Sequence, residues 1–287
     1  MTTSASRNVW FITGCSSGIG RQIAIAARSH GDLVIASARK IETLDELKTL
    51  GCEVLTLDIT ASEDEVKQVI DRAHAIYGRI DIVMNNAGSA RISAVEEASD
   101  KDVLALFDGN VFGHLRVVRA VLPHLREKRS GIIAFIGSVT GYSPITMNGV
   151  YGAAKFALAG ISQTLAQEVA HLGIEVTVIE PGVFPTNGLV NLALLPNPIA
   201  DYDPLKSEFH EYLTSTIKAP PSDTVKGAQA IVEALTKTGR CAGKALPRRM
   251  PLGGDVLPVM EAELALREKE KNDWVEFTKP ETFSFEP

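Results

Sequence analysis

Val9-Trp10-Phe11-Ile12-Thr13-Gly14-Cys15-Ser16-Ser17-Gly18-Ile19-Gly20 is the stretch that decides the architecture of this 287-residue chain. Four apolar residues lead into a turn with three glycines. Ile19, Ile23 and Ala27 then recur every four positions until Gly31, the pattern of a strand, a tight turn and an amphipathic helix with a glycine stop. Glycines in such a turn let main-chain N–H groups approach a pyrophosphate, and the helix N-terminus adds the positive end of its dipole. Many glycine turns are only tight connections. The strand before, the helix after and the place in a first βα unit favour nucleotide binding, with Gly14, Ser16, Ser17, Gly18, Ile19 and Gly20 as the contacting residues.

Outward from this unit, short runs rich in Val and Ile at 33–36, 54–57, 82–84, 132–136 and 174–179 alternate with longer segments of helical period. A further strand is expected near 244–247. Ser62 with Glu65 forms a capping-box pair, as does Ser99 with Asp102, which opens a long helix carrying Val103, Leu106, Phe107, Val111, Val118 and Leu122. This alternation predicts an α/β fold: a doubly wound parallel sheet, Rossmann-like, with helices on both faces and a single domain over 1–287. Its ligands bind beyond the carboxyl ends of the strands.

After Pro181 the pattern breaks. Residues 187–221 carry Leu189, Val190, Leu192, Leu194, Leu195, Ile199, Tyr202, Phe209 and Tyr212, interrupted by Pro196, Pro198 and Pro204. Such an insertion reads as an apolar substrate lid, with a plain helical excursion packed on the core as the alternative. The tail at 255–287 reads as helical, and its mixed charges over 261–273 as a solvated face.

Composition narrows the function. A formal net charge of −6 argues against a nucleic-acid or anionic-membrane surface. No apolar run reaches the ~20 residues of a membrane span, and the polar start lacks the apolar core of a secretory signal, so a cytoplasmic enzyme of small molecules is expected. Cys15, Cys52 and Cys241 show neither C-x-x-C spacing nor an even count, and the six histidines show no ligand spacing, so no disulfide framework and no metal are indicated.

The chemistry-bearing residues fall at one edge of the expected sheet. Asp58 and Ile59 follow the third strand, and Asn85-Asn86-Ala87-Gly88 ends the fourth, on the edge that carries the glycine turn. Asp58 equally serves to cap the next turn, and the asparagines to satisfy loop backbone. Ser138 ends the strand at 132–136, and Tyr151 and Lys155 stand at i and i+4 on one helix face, in a stripe with Leu158, Ser162, Leu165 and Val169. A phenol with pKa near ~10 becomes an effective acid–base group near neutrality only beside a positive charge. Lowering it to about 7 is within reach of the Lys155 ammonium in a dry pocket that also holds a cationic nicotinamide. Asn110 intrudes on the apolar face of the long helix, and Gly109 beside it marks a weak point where the backbone can open. A satisfied buried amide beside a packing glycine is an equal reading.

Thr13-Gly14-x-x-x-Gly18-x-Gly20, Asn85-Asn86-Ala87-Gly88, Asn110, Ser138, Tyr151-x-x-x-Lys155 and Pro181-Gly182 together resemble the single-domain branch of the short-chain dehydrogenase/reductase family, in order and spacing, over about residues 8–250. The resemblance implies that Ser138 and Tyr151 hydrogen-bond the substrate oxygen. Lys155 would bind the nicotinamide ribose and lower the Tyr pKa, and Asn110 would hold a relay water. Hydride would pass between the nicotinamide and the carbinol carbon. Asn86, Ala87 and Gly88 would line the dinucleotide, Pro181, Gly182 and Val183 would lie beside the nicotinamide, and Thr186 would bond its carboxamide. A homodimer or homotetramer through the helices carrying Asn110 and Tyr151 is implied as well. Gly152 and Pro185 depart from the family pattern.

NADP(H) is the expected cofactor. The second strand ends Ala36-Ser37-Ala38-Arg39-Lys40, without the acid that would accept bonds from an unphosphorylated ribose, and Arg39 suits a 2′-phosphate. Solvation of the loop is the plainer role for that pair of cations. Between 187 and 221 four acidic residues face two lysines and no arginine, which favours an apolar or aromatic ketone over a polyanionic substrate. The alternative is a non-redox dinucleotide-binding protein, a sensor, scaffold or cyclase on the same fold.

Overall fold

Every side chain of β1 (Val9–Ile12) is buried, Val9 and Phe11 in one core cluster and Trp10 and Ile12 in another, as a central parallel strand requires. The computed structural model describes residues 7–186, 193–194, 198–279 and 283. Around β1 stand β2 (Leu33–Ala38), β3 (Glu53–Thr56), β4 (Ile82–Asn85), β6 (Gly131–Ile136), β7 (Ile174–Pro181) and β9 (Arg249–Leu252), all parallel in the order β3-β2-β1-β4-β6-β7-β9. The chain winds outward from β1 to β3 and then outward on the other side from β4. The order therefore reverses between β1 and β4, which makes their carboxyl ends a topological switch point.

One face of the sheet is covered by α3 (Glu63–Tyr77), α5 (Gly113–Lys128) and α6 (Gly149–Val169), which bury Val66, Ile70, Val117, Val121, Leu158 and Leu165 against Phe11, Val83 and Phe135. The other face takes α1 (Gly18–His30), the short α2 (Asp45–Thr49) and α8 (Thr224–Thr236), whose Ile23, Ala27, Leu47 and Ile231 pack on Trp10, Val34 and Met84. The expected Rossmann-like three-layer fold is what forms. None of the described helices is long and apolar enough to cross a membrane.

The helix signals read from sequence hold in detail. Gly31 closes α1 in the left-handed region at φ 99°, where it bonds Ala27 and Arg28 carbonyls. Ser62 caps α3 reciprocally: Glu65 N–H donates to Ser62 Oγ at 3.3 Å, while Ser62 N–H donates to the Glu65 carboxylate at 3.0 Å. Ser62→Ala is expected to lower stability by ~1 kcal/mol without touching the sheet edge, which urea unfolding midpoints at unchanged slope will show. Ser99 and Asp102 form the same box ahead of α4 (Asp100–Phe107).

Three places show more than the sequence pattern, and one of them, the last strand, is a correction. The long helix is continuous but not uniform: α4 passes through a π-helical turn, Asp108–Phe112, before α5, so the backbone widens at Gly109 and Asn110. The last strand is β9 at Arg249–Leu252, not 244–247. Arg-Met-Pro-Leu lacks a β-branched pattern, and Pro251 is tolerated because β9 is the sheet edge. The insertion contains α7 (Asp203–Lys218), which packs Phe209 and Leu213 on Ile92, Ala94 and Met147 in a separate small cluster rather than on the main core. Of the lid residues named from sequence, Leu189, Val190, Leu192, Leu195 and Pro196 lie outside the described residues, and Leu194 is placed only as part of β8 (Ala193–Leu194), parallel to β5 (Arg91–Ile92). The tail begins as α9 (Val256–Asp273).

Candidate active site

The glycine turn and the end of β4 are built as one unit. Thr13 Oγ1 accepts from the Asn86 and Ala87 N–H groups, both at 3.0 Å, and Asn86 Nδ2 donates back to the Thr13 and Gly14 carbonyls at 2.8 and 3.0 Å. Gly20 is required by this packing, because a Cβ there would overlap the Asn86 amide, and Gly14 stands at φ 72° against Ala87. Asn86 thus satisfies loop backbone, as one sequence reading had it, whereas the buried Asn85 side chain makes no hydrogen bond to another described residue. Cys15 N–H donates to Ser37 O at 2.9 Å, which draws the tip of β2 against the turn. Burial pushes the Cys15 thiol up to about 12, so it is an inert core group.

This turn suits a dinucleotide on the evidence of its own donors. Ser17 stands at the N-cap of α1 with no side-chain capping bond, and the first turn carries no acid, so no carboxylate of that turn offsets the positive end of the helix. Ser16 is exposed and Ile19 half-buried. A cavity of about 730 Å³ adjoins Gly18, lined by Gln22, Pro185, Thr186 and residues 220–226. Asp58 is exposed and accepts from Thr60 N–H at 2.9 Å and its hydroxyl at 2.8 Å, the capping role weighed from sequence. Ile59 is buried against Gly113. Arg39 is exposed directly after β2.

Ser138, Tyr151 and Lys155 meet at the same edge. Ser138 follows β6, and its hydroxyl is near enough to the Tyr151 hydroxyl to favour the ionised phenol; its Oγ accepts from Thr140 N–H at 3.2 Å. Lys155, one helical turn along α6, is buried, donates to Ile136 O at 3.0 Å and stands 5.5 Å from the Tyr151 ring centroid. Burial pushes the Tyr151 hydroxyl up to about 12 against the opposing effect of Ser138, and burial pushes Lys155 down to about 8. The lowering of the phenol toward 7 is therefore not achieved by the protein's own groups: the Lys155 ammonium is turned to the Ile136 carbonyl.

Asn110 lies on the π-turn beneath this group. Its Nδ2 donates to Ser89 O at 2.8 Å and Leu106 O at 2.9 Å, while its buried Oδ1 has no partner among the described residues. Gly88 is held close, since a Cβ there would come 2.7 Å from that Oδ1 and 3.8 Å from Lys155 Nζ. His114, one turn on, is fully buried edge-on to Phe135; burial, with the Lys155 charge in support, pushes it down to about 3, so it is neutral.

Pro181 ends β7, Gly182 N–H donates to Leu252 O at 2.9 Å, and Val183 N–H donates to the Asp255 carboxylate at 2.9 Å. A side chain on Gly182 would overlap Asp255. Asp255 went unrecognised in the sequence, where only its place before the apolar start of α9 marks it. So did Glu180, whose buried carboxylate pairs with Arg249. Arg249 donates on to Gly141 O at 2.9 Å and lies 4.7 Å over the Tyr142 ring, pinning the loop that follows Ser138 to β7 and β9. Among the described residues no three His, Cys, Asp or Glu side chains gather as metal ligands would.

The sequence model of the family described as short chain dehydrogenase matches residues 8–193. The chain is 37% identical to Oxidoreductase BOA17 of Botryotinia fuckeliana over 87% of this chain and 90% of that protein. It is 32% identical to retinol dehydrogenase 8 of Homo sapiens over 82% of this chain and 79% of that protein. The crystal structure of a short-chain dehydrogenase from Streptomyces avermitilis superposes with a TM-score of 0.84 at 35% identity, covering 96% of this chain and 98% of that one.

Proposed function

Because the chain belongs to the short-chain dehydrogenase family, we propose that it is an NADP(H)-dependent oxidoreductase that interconverts a ketone and a secondary alcohol on an apolar or aromatic small molecule. The observation that carries this reading is the gathering of Ser138 and Tyr151 beside the buried Lys155, whose Nζ stands 5.5 Å from the Tyr151 ring, on the sheet edge that also holds the glycine turn. The nicotinamide, when bound, supplies or takes the hydride.

The chain's own residues do the rest. Gly14, Ser16, Ser17, Gly18, Ile19 and Gly20 present the uncapped start of α1 to the pyrophosphate. Asp58, Ile59, Asn86, Ala87 and Gly88, which follow β3 and β4, would hold the dinucleotide along the same sheet edge, and Pro181, Gly182, Val183 and Thr186 would border its nicotinamide. Ser138 and Tyr151 hold the substrate oxygen. With its pKa raised to about 12, Tyr151 stays protonated at neutral pH and donates its proton to the oxygen as the carbonyl is reduced. Lys155 keeps positive charge beside it, and Asn110, with its buried oxygen unpartnered among the described residues, is the acceptor for a relay water. A homodimer or homotetramer through α4–α6 belongs to the same proposal, supported by Leu104 and Phe112, both exposed there.

NADPH consumption in the presence of a panel of ketones tests the reading, alongside direct NADPH binding. Reduction of apolar ketones is expected, and Phe209→Ser in α7 should raise KM for bulky ketones several-fold more than for small ones. Binding of NADPH with no carbonyl reduced would replace this reading with the non-redox one.

A further inference from the structure

Glu97 is 4% exposed, lies outside every motif of the reaction, and takes partners from about a hundred residues away. Its Oε1 accepts from Ile199 N–H at 2.7 Å and pairs with Lys206 Nζ at 2.6 Å, while its Oε2 accepts from Ala94 N–H at 2.9 Å. Lys206, in α7, is itself fixed by the Ile199 carbonyl at 3.1 Å and Asp203 at 3.0 Å. The neighbouring Glu96 accepts from the Tyr202 hydroxyl at 2.6 Å. Phe209 and Leu213 complete the seat against Ile92, Ala94 and Met147. Burial alone pushes the Glu97 carboxyl up, but the Lys206 bond and the Ile199 and Ala94 N–H groups outweigh it and hold it below the ordinary value.

The same short segment also touches the start of the helix that carries Tyr151. Ser93 bridges Asn148, and Ser93 N–H donates to Met147 O at 2.9 Å. Met147 is held at φ 66°, a left-handed conformation that a non-glycine residue keeps only where its surroundings over-determine it. Gly149, the first residue of α6, is pressed so closely on Val95 that a Cβ would overlap it. Tyr151 follows two residues later. Residues 92–97 therefore lie between the seat of α7 and the start of the helix that carries Tyr151.

We infer that Glu97 is a positioning residue that latches α7 over the substrate side and, through residues 92–97, fixes the start of α6 beneath Tyr151. If α7 lifted, Glu97 would lose Lys206 and Ile199 together and stand as a buried carboxylate with only the Ala94 N–H, an arrangement strongly disfavoured in a dry setting. The seated state is thus a discrete one rather than a loose contact. Tyr202 on Glu96 adds a weaker, exposed tie. The inference rests on the proposed carbonyl chemistry for its catalytic consequence but not for the latch itself.

The test compares the full chain with Glu97→Gln, Lys206→Met and the double variant by three readouts: chymotryptic cleavage within α7, the Kd of NADPH, and KM and kcat for a ketone that the wild type reduces. Glu97→Gln keeps shape and loses charge, so cleavage and KM should each rise about tenfold and kcat should fall, with NADPH affinity within about twofold of wild type. The double variant should be no worse than the worse single one, because both remove one interaction. Unchanged cleavage in both single variants, additive effects, or a loss of NADPH affinity in step with KM overturns the latch. If the wild type reduces no ketone, cleavage and its non-additivity still decide the latch, so that failure is distinguishable from failure of the reaction assignment.

Discussion

Tyr151→Phe is expected to lower kcat for carbonyl reduction by about 100- to 10,000-fold, the usual contribution of a positioned general acid, while NADPH binds within about twofold of wild type. The substitution removes one oxygen. The ring stays on α6 between the Ser138 loop and Lys155, so the fold and the glycine turn are untouched. What is lost is the proton that must reach the substrate oxygen as hydride arrives at carbon. No neighbour replaces it: Ser138 is a far weaker acid, and His114 is buried, neutral and pushed down to about 3. Lys155→Ala should behave differently and impair both turnover and cofactor affinity, because it deletes a buried cation that is tied to the Ile136 carbonyl and faces the same edge. Stopped-flow NADPH oxidation with parallel fluorescence titration measures both quantities. A Tyr151→Phe variant that keeps more than about a few per cent of the wild-type rate removes Tyr151 from the acid–base role.

The central strands were legible because each is rich in Val, Ile or Phe and is largely buried on both faces, a composition that no other described element shares. Tyr151 and Lys155 stood out for a related reason: a hydroxyl and an ammonium four residues apart on an otherwise apolar stripe conflict with plain packing, and that conflict marks a candidate site. The π-turn left its trace in Gly109 and Asn110. The edge strand β9 was not legible, since half-exposed edges select neither β-branched residues nor alternation. Glu97, Glu180 and Asp255 escaped for a different reason. Each is a single acid with a partner at least 69 residues away, so nothing local distinguishes it from a solvated carboxylate. The direction of the Tyr151 shift was equally hidden, because it depends on how deeply α6 is covered and where Lys155 points, and neither is a property of spacing.

Arg39→Ala is expected to erase a preference for NADPH over NADH by weakening NADPH binding roughly ten- to hundredfold, the consequence of losing a charge-assisted bond of ~1.5 to 3 kcal/mol. The position of Arg39 follows from where β2 stops. The strand runs to Ala38, two residues beyond the end expected from its apolar run, and the Ser37 carbonyl holds Cys15 of the glycine turn at 2.9 Å. The residue that follows is thereby placed at the tip of β2 beside the nucleotide edge. That residue is Arg39, exposed, with no ion pair to another described residue, and followed by the exposed Lys40. A guanidinium already neutralised by a carboxylate would have little to offer a phosphate. An uncommitted one can form paired bonds to a 2′-phosphate and stack on adenine, whereas a plain 2′-hydroxyl gives it one weak partner. NADH affinity should therefore change little in the variant. Lys40 remains as a screened point charge and keeps the loss from being total. Measuring kcat/KM for NADPH and NADH in the wild type and in Arg39→Ala, at one fixed ionic strength, separates the two roles weighed for this residue. A wild-type preference for NADH, or the same ratio in both proteins, leaves Arg39 as a solvating side chain and returns the choice of cofactor to other residues of the edge.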